Sequence, residues 1–150
     1  MEWLNSLRGT IVGLDTAPLI YFIEENPVYL PLVRPFFEAV DRGEFQVVTS
    51  VLTLTEVLVH PLRRGDHRLA YEYRQILLQA RQVTTVPISE AIAEEAAVLR
   101  GKHGLRTPDA SQLATAIRSG ASSFLTNDTR LPNLSGLKIL VLNQLTATAP

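Results

Sequence analysis

Thr10-Ile11-Val12-Gly13-Leu14-Asp15 is a short β-branched run that halts at an acid, and Pro18-Leu19-Ile20-Tyr21-Phe22-Ile23 follows as an apolar segment. Such a stretch reads as a strand passing into a helix. The same order returns downstream: Phe45-Gln46-Val47-Val48-Thr49 predicts a second strand, and Leu52 to His60 a helix that Pro61 ends. Between them, Leu32, Val33, Phe36, Phe37 and Val40 recur at helical spacing within Tyr29 to Arg42, with Gly43 where a C-terminal cap belongs.

Beyond a polar turn at Arg63-Arg64-Gly65-Asp66, the pattern predicts a helix from about His67 to Ala80 and a strand at Val83-Thr84-Thr85-Val86 that Pro87 closes. Ser89 opens a helix running to about His103, with Gly104 as its stop. Thr107-Pro108 opens another, the threonine as cap and the proline at the first helical position. Ser123-Phe124-Leu125-Thr126 and Lys138-Ile139-Leu140-Val141-Leu142 supply two more strands, and Thr146 to Pro150 read as a frayed tail. Short apolar strands alternating with amphipathic helices predict an α/β fold of three layers, with a central, mostly parallel sheet of about five strands covered on both faces. One domain over residues 1–150, with its core at about 11–142, is the expectation for a chain of this length.

Composition narrows the chemistry. A hydrophobic content of 46% and a mean hydropathy of +0.12 belong to a folded globular chain. The chain has no cysteine, so any metal must be held by oxygen or imidazole, and thiolate catalysis is excluded. No apolar run approaches membrane-spanning length and the N-terminus lacks a basic segment followed by an apolar one, so the expected location is the cytoplasm. A net charge of -1 offers no global attraction for a polyanion, so a nucleic-acid enzyme would need a local basic rim. Arg63, Arg64, Arg100, Lys102, Arg106, Arg118 and Arg130 are candidates for it, whereas His60, His67 and His103 have no metal-motif spacing and read as surface residues. Phosphate-binding glycine loops, dinucleotide fingerprints and serine-hydrolase elbows are all missing.

Ligands of open parallel sheets bind beyond the carboxyl ends of the strands. Asp15 follows the first strand, Glu56 lies in the helix after the second, Asp109 in the first turn of the late helix, and Asp128 just past Phe124-Leu125-Thr126. Each has a local role open to it as well. Asp15 suits a helix cap, Thr53-Leu54-Thr55-Glu56 matches a capping box, Asp109 complements a helix dipole, and Asn127-Asp128 is good turn chemistry. Carboxylates at 4 Å repel by roughly 4 kcal/mol per pair at an effective dielectric near 20, so a cluster of them calls for a cation. Oxygen donors favour Mg2+ or Mn2+, ions that suit phosphodiester chemistry.

From about residue 11 to 142 the chain resembles the PIN-domain family, and within it the VapC-like toxins of prokaryotic toxin-antitoxin pairs. The resemblance rests on Val12-Gly13-Leu14-Asp15-Thr16, Leu54-Thr55-Glu56-Val57-Leu58, Thr107-Pro108-Asp109-Ala110-Ser111-Gln112-Leu113-Ala114-Thr115-Ala116 and Phe124-Leu125-Thr126-Asn127-Asp128, in the family's order. It implies a metal-dependent endoribonuclease in which Asp15 and Asp109 are the main metal ligands, Glu56 binds directly or through water, and Asp128 completes the site. Thr126 would position a water or ligand, with Thr16 and Asn127 as neighbours and Asn127 an alternative oxygen donor. It further implies an RNA substrate, a homodimer and an inhibiting antitoxin; because a chain of net charge -1 needs local cations to hold a polyanion, Arg63, Arg64, Arg106 and Arg130 are expected to include the RNA-backbone contacts. A PIN-like nuclease of RNA processing outside any toxin pair, and a catalytically silent interaction module, are the alternative readings.

Overall fold

Strand β1 (Ile11–Leu14) sends Val12 and Leu14 into one hydrophobic cluster and packs Ile11 against another on the opposite face, the period of two that a strand requires. In this computed structural model, which describes residues 1–145, the same alternation recurs in β2 (Gln46–Ser50), where Val47 and Val48 part. It recurs again in β4 (Ser123–Thr126), where Leu125 and Phe124 part. With β3 (Val83–Val86) and β5 (Lys138–Val141) these strands form one sheet in the order β3-β2-β1-β4-β5, every neighbouring pair parallel. Burial on both faces explains why the strands are nearly continuous apolar runs.

One face is covered by α2 (Thr16–Ile23), α3 (Leu30–Asp41), α4 (Val51–Arg64) and α5 (His67–Arg74), the other by α6 (Glu90–His103) and α7 (Thr107–Arg118). The result is the three-layer α/β/α arrangement. Fully buried Phe36 and Phe124 anchor the two clusters, each such side chain contributing about 1.5–3 kcal/mol by leaving water. The short α1 (Glu2–Asn5), which precedes the expected core, adds Trp3, stacked on Phe36 with ring centroids 6.2 Å apart.

Several local expectations need correction. Pro61 does not end α4. It is buried inside the helix, its fixed φ suits helical backbone, and it forgoes a single backbone bond. The stop is Gly65, at φ 68, where its N–H donates to Leu62 O and that of Asp66 donates to Pro61 O, so Arg63 and Arg64 belong to the last helical turn rather than to a loop. Thr107 does not cap α7: it is the first helical residue, and its hydroxyl accepts a bond from Arg100 Nη1 at 3.0 Å. The helix expected over His67 to Ala80 ends at Arg74 and continues as a π-helical turn, Gln75–Gln79. The strand expected to end at Leu142 ends at Val141. Ser89 and Gly104 do cap α6 as expected, and the tail expected at Thr146 to Pro150 lies outside the described residues.

Among the described residues no helix is long and apolar enough to cross a membrane. One contact sets how closely the α7 layer can lie on the sheet. A Cβ at Gly13 would stand 2.7 Å from Ala116 Cβ and 2.8 Å from Phe124 Cδ1, both closer than real contacts allow. Gly13→Ala should therefore destabilise the protein by about 1–3 kcal/mol through overpacking, read as a lower urea midpoint at unchanged slope. An unchanged midpoint would show that α7 can move off the sheet freely.

Candidate active site

The strand order reverses between β1 and β4, and the carboxyl ends of these two strands define the crevice where such sheets bind ligands. Asp15 stands directly after β1, its N–H donating to Leu125 O across the junction at 2.9 Å. As the N-cap of α2 it accepts from Thr16 N–H through Oδ1 at 2.9 Å, while Oδ2 accepts from Thr126 Oγ1 at 2.7 Å. Capping therefore coexists with a place in the crevice. Burial is the largest influence on Asp15 and pushes its carboxyl above the usual carboxylate range. The Thr126 hydroxyl and the Thr16 amide oppose that, and the charges of Asp109 and Asp128 reinforce it.

The other acids converge on this point. Glu56, on α4, is also raised, first by desolvation and then by the charges of Asp15 and Asp109, while Thr16 and Arg106 act the other way. The capping-box alternative for Glu56 falls, since Ser50 is the N-cap of α4 and Thr53 lies inside the helix. Asp109 lies in the first turn of α7 and accepts from Arg106 Nε at 3.1 Å. Asp128 takes Arg130 on both oxygens, Nε to Oδ1 at 3.0 Å and Nη2 to Oδ2 at 3.1 Å, which holds its carboxyl below the usual range. Its Oδ1 also accepts Arg130 N–H, so the expected turn chemistry is present too.

Thr126 and Thr16 belong to the crevice. Thr126 Oγ1 accepts from Asp128 N–H at 3.0 Å while donating to Asp15, so one hydroxyl ties the two acids. Thr16 Oγ1 is buried and has no partner at hydrogen-bonding distance, although it is near enough to Glu56 to favour that carboxylate's charge. Asn127 is engaged elsewhere: its Nδ2 donates to Tyr21 OH and its Oδ1 accepts from Asn143 N–H at 3.1 Å. Both residues thus have their oxygens in hydrogen bonds, those of Asp128 to Arg130 and that of Asn127 to Asn143.

Of the basic residues, Arg106 and Arg130 lie at the acids, whereas Arg63 and Arg64 are exposed on the last turn of α4. Arg118 pairs with Glu95 and Arg100 binds Leu105 O and Thr107, so both serve the α6–α7 packing. His60, His67 and His103 are exposed. A cavity of about 640 Å³ opens beside Gly43 and Gln82, at the opposite ends of the strands, and contains none of the four acids.

Among the described residues, no three acidic or histidine side chains stand as a finished metal cage. The donor set nevertheless suits a hard divalent cation. Four carboxylates face two arginines, and the hydroxyl of Thr16 is buried unpartnered among them. A polar group missing from the sequence reading lies beneath the acids: Thr49, Ser50, Thr53 and Gln112 are all buried and hydrogen-bonded to one another or to backbone. Its members stand apart in the sequence, as Thr49-Ser50 at the end of β2, Thr53 on α4 and a glutamine among alanines on α7, and no local pattern links them.

The PIN domain family model matches residues 12–137. Among solved structures, the chain is similar to a toxin-antitoxin complex from Klebsiella pneumoniae, with TM-score 0.63 and 22% identity over 93% of this chain and 98% of that one. It is also similar to VapBC2 from Rickettsia felis bound to a promoter DNA fragment, with TM-score 0.66 and 14% identity over 87% and 98%. DNA-bound VapBC from Salmonella typhimurium gives TM-score 0.68 and 16% identity over 89% and 98%. No curated protein matches it significantly in sequence.

The opposite shifts of Asp15 and Asp128 make a test. Asp15 holds its proton more tightly folded than unfolded, so its contribution to stability is complete below the unfolded pKa near 3.8 and is lost as pH rises through the higher folded value. Asp128 has the reverse sign: its contribution is present above the unfolded pKa and lost as pH falls through the depressed folded value. In EDTA, between about pH 3 and pH 7, melting temperatures should diverge with rising pH, Asp15→Asn gaining on the wild type and Asp128→Asn losing. Parallel pH profiles for the two variants would contradict these environments.

Proposed function

The chain belongs to the PIN domain family, and from that premise we propose that it is a Mg2+- or Mn2+-dependent endoribonuclease, hydrolysing RNA phosphodiester bonds as the toxin of a toxin-antitoxin pair. The observation that carries this reading is the convergence of acids on Asp15 at the switch point of the sheet: Thr126 bonds to both Asp15 and Asp128, and the charges of Asp109 and Asp128 act on Asp15 while those of Asp15 and Asp109 act on Glu56. The similar structures, a toxin-antitoxin complex and two VapBC complexes, support the biological setting. The same reading includes an antitoxin partner, a homodimer and a cytoplasmic location.

Asp15, Glu56, Asp109 and Asp128 would hold the cation. Such an ion, when bound, lowers the pKa of a water and neutralises charge building on the phosphate. The protein's own part is orientation. Thr126 holds Oδ2 of the Asp15 carboxylate and the Thr16 amide holds Oδ1, which fixes its orientation and leaves a lone pair on each oxygen. The guanidiniums of Arg106 and Arg130 are exposed beside the acids and are available to phosphate oxygens. Arg63 lies seven residues after Glu56, two turns along α4 on the same face and about 10 Å away at 1.5 Å per residue, with Arg64 beside it. These four arginines form the proposed track for the RNA backbone.

Asp15→Asn and Asp109→Asn should each abolish Mn2+-dependent cleavage of RNA while leaving the circular dichroism spectrum unchanged. Cleavage by purified Asp15→Asn at the wild-type rate would sink the assignment. The track is tested separately by binding at graded salt: alanine at Arg63, Arg64, Arg106 or Arg130 should weaken RNA binding and flatten the slope of log K against log salt by about 0.7 per lost contact. If all four together leave affinity and slope unaltered, the RNA runs elsewhere.

A further inference from the structure

Gln112, Thr53 and Thr49 form a buried chain of hydrogen bonds whose direction is fixed by proton counting. Thr49 Oγ1 donates to Leu14 O at 2.8 Å. A hydroxyl has one proton, so in its 2.7 Å contact with Thr53 the Thr49 oxygen must accept and Thr53 must donate. The Thr53 oxygen in turn accepts from Gln112 Nε2 at 2.7 Å, while Gln112 Oε1 accepts from Ser50 N–H at 3.3 Å. Both ends of the carboxamide are thereby assigned. Each side chain is at most 4% exposed, so none of these partners can be exchanged for water.

The elements this chain connects are the ones that carry the acids. Gln112 is one helical turn past Asp109 on α7, Thr53 is one turn before Glu56 on α4, and the final acceptor is the carbonyl of Leu14, next to Asp15. The Gln112–Thr53 bond joins α7 to α4 directly. Apolar side chains of the same shape would fill this space at similar or lower free energy, so stability alone gives no reason for a polar chain here. Its distinguishing property is that it tolerates a single geometry.

We propose that Gln112 is a positioning residue which, through Thr53 and Thr49, sets the spacing of Asp109, Glu56 and Asp15 for the cation. This rests on the nuclease reading above, and it adds residues that touch neither metal nor RNA. The hydrogen-bond chain acts on the acids through the backbones of α4, α7 and β1.

The test uses Gln112→Met and Thr53→Val, which keep volume and remove hydrogen bonds, and Thr53→Ser, which restores the hydroxyl. Mn2+ titration calorimetry on folded protein should show binding weakened by about tenfold or more in the first two and within about threefold of wild type in Thr53→Ser. Their kcat should fall with KM for RNA little changed. A second arm needs no metal: in EDTA, Asp15→Asn and Asp109→Asn should shift the melting temperature non-additively in the wild type and additively in a Gln112→Met background, because the acids have moved apart. Lower melting temperatures with unchanged Mn2+ affinity and unchanged non-additivity would reduce the chain to a structural role and overturn the proposal. Absence of Mn2+ binding by the wild type would instead defeat the nuclease reading, and the second arm alone would then decide the positioning role.

Discussion

Everything at the crevice depends on how near α7 lies to β1. The absence of a side chain at Gly13 brings Ala116 and Phe124 to the distance at which a Cβ would clash. The inner face of α7 accordingly carries small residues, Ala110, Ala114 and Ala116, with Leu113 as its one fully buried large apolar side chain. Because α7 leads back towards the start of β4, its first turn lies at the carboxyl ends of the strands, and Asp109 arrives beside Asp15. A bulkier residue at 13 would lift the helix and separate the acids without altering any of them. Close packing of the core and convergence of charge at the rim are thus one constraint seen from two sides.

The cluster divides its charges by depth. Asp15, the most enclosed, is held by two uncharged donors, so its negative charge is oriented but not cancelled. Asp109 and Asp128, nearer solvent, each have an arginine, and Arg106 extends its influence to Glu56 as well. Exposed ion pairs of this kind are weak and exchange partners readily. The outer carboxylates are therefore the adaptable half of the site, and the inner one its fixed point. Thr126 links the halves by bonding to both Asp15 and Asp128.

Much of this was readable from residue order alone. Strand positions, the Ser89 and Gly104 caps and the four acid-bearing segments are local signals, and each has a steric or hydrogen-bonding cause that acts within a few residues. What escaped depends on tertiary context. Pro61 is a helix breaker in isolation and a helix interior residue here, because its ring is buried and Gly65 offers a better stop. Thr107 surrenders the cap role because Arg100, from another helix, claims its hydroxyl. The Gln112 chain was invisible for the same reason, since a residue 59 positions away supplies the partner.

The pairing of β1 with β4 has a meaning in time. β1 is made well before β4, yet they are neighbours at the centre of the sheet, and the Asp15–Thr126 bond spans 111 positions. Closing so long a loop has to precede any reward from the contact. A nascent chain can fold β2 and β3 into a partial sheet, but the crevice has only one wall until the segment through Asp128 leaves the ribosome. Every fragment that stops short of β4 lacks that wall. The strand order thus makes the crevice a late product of folding, complete only when the two central strands have met.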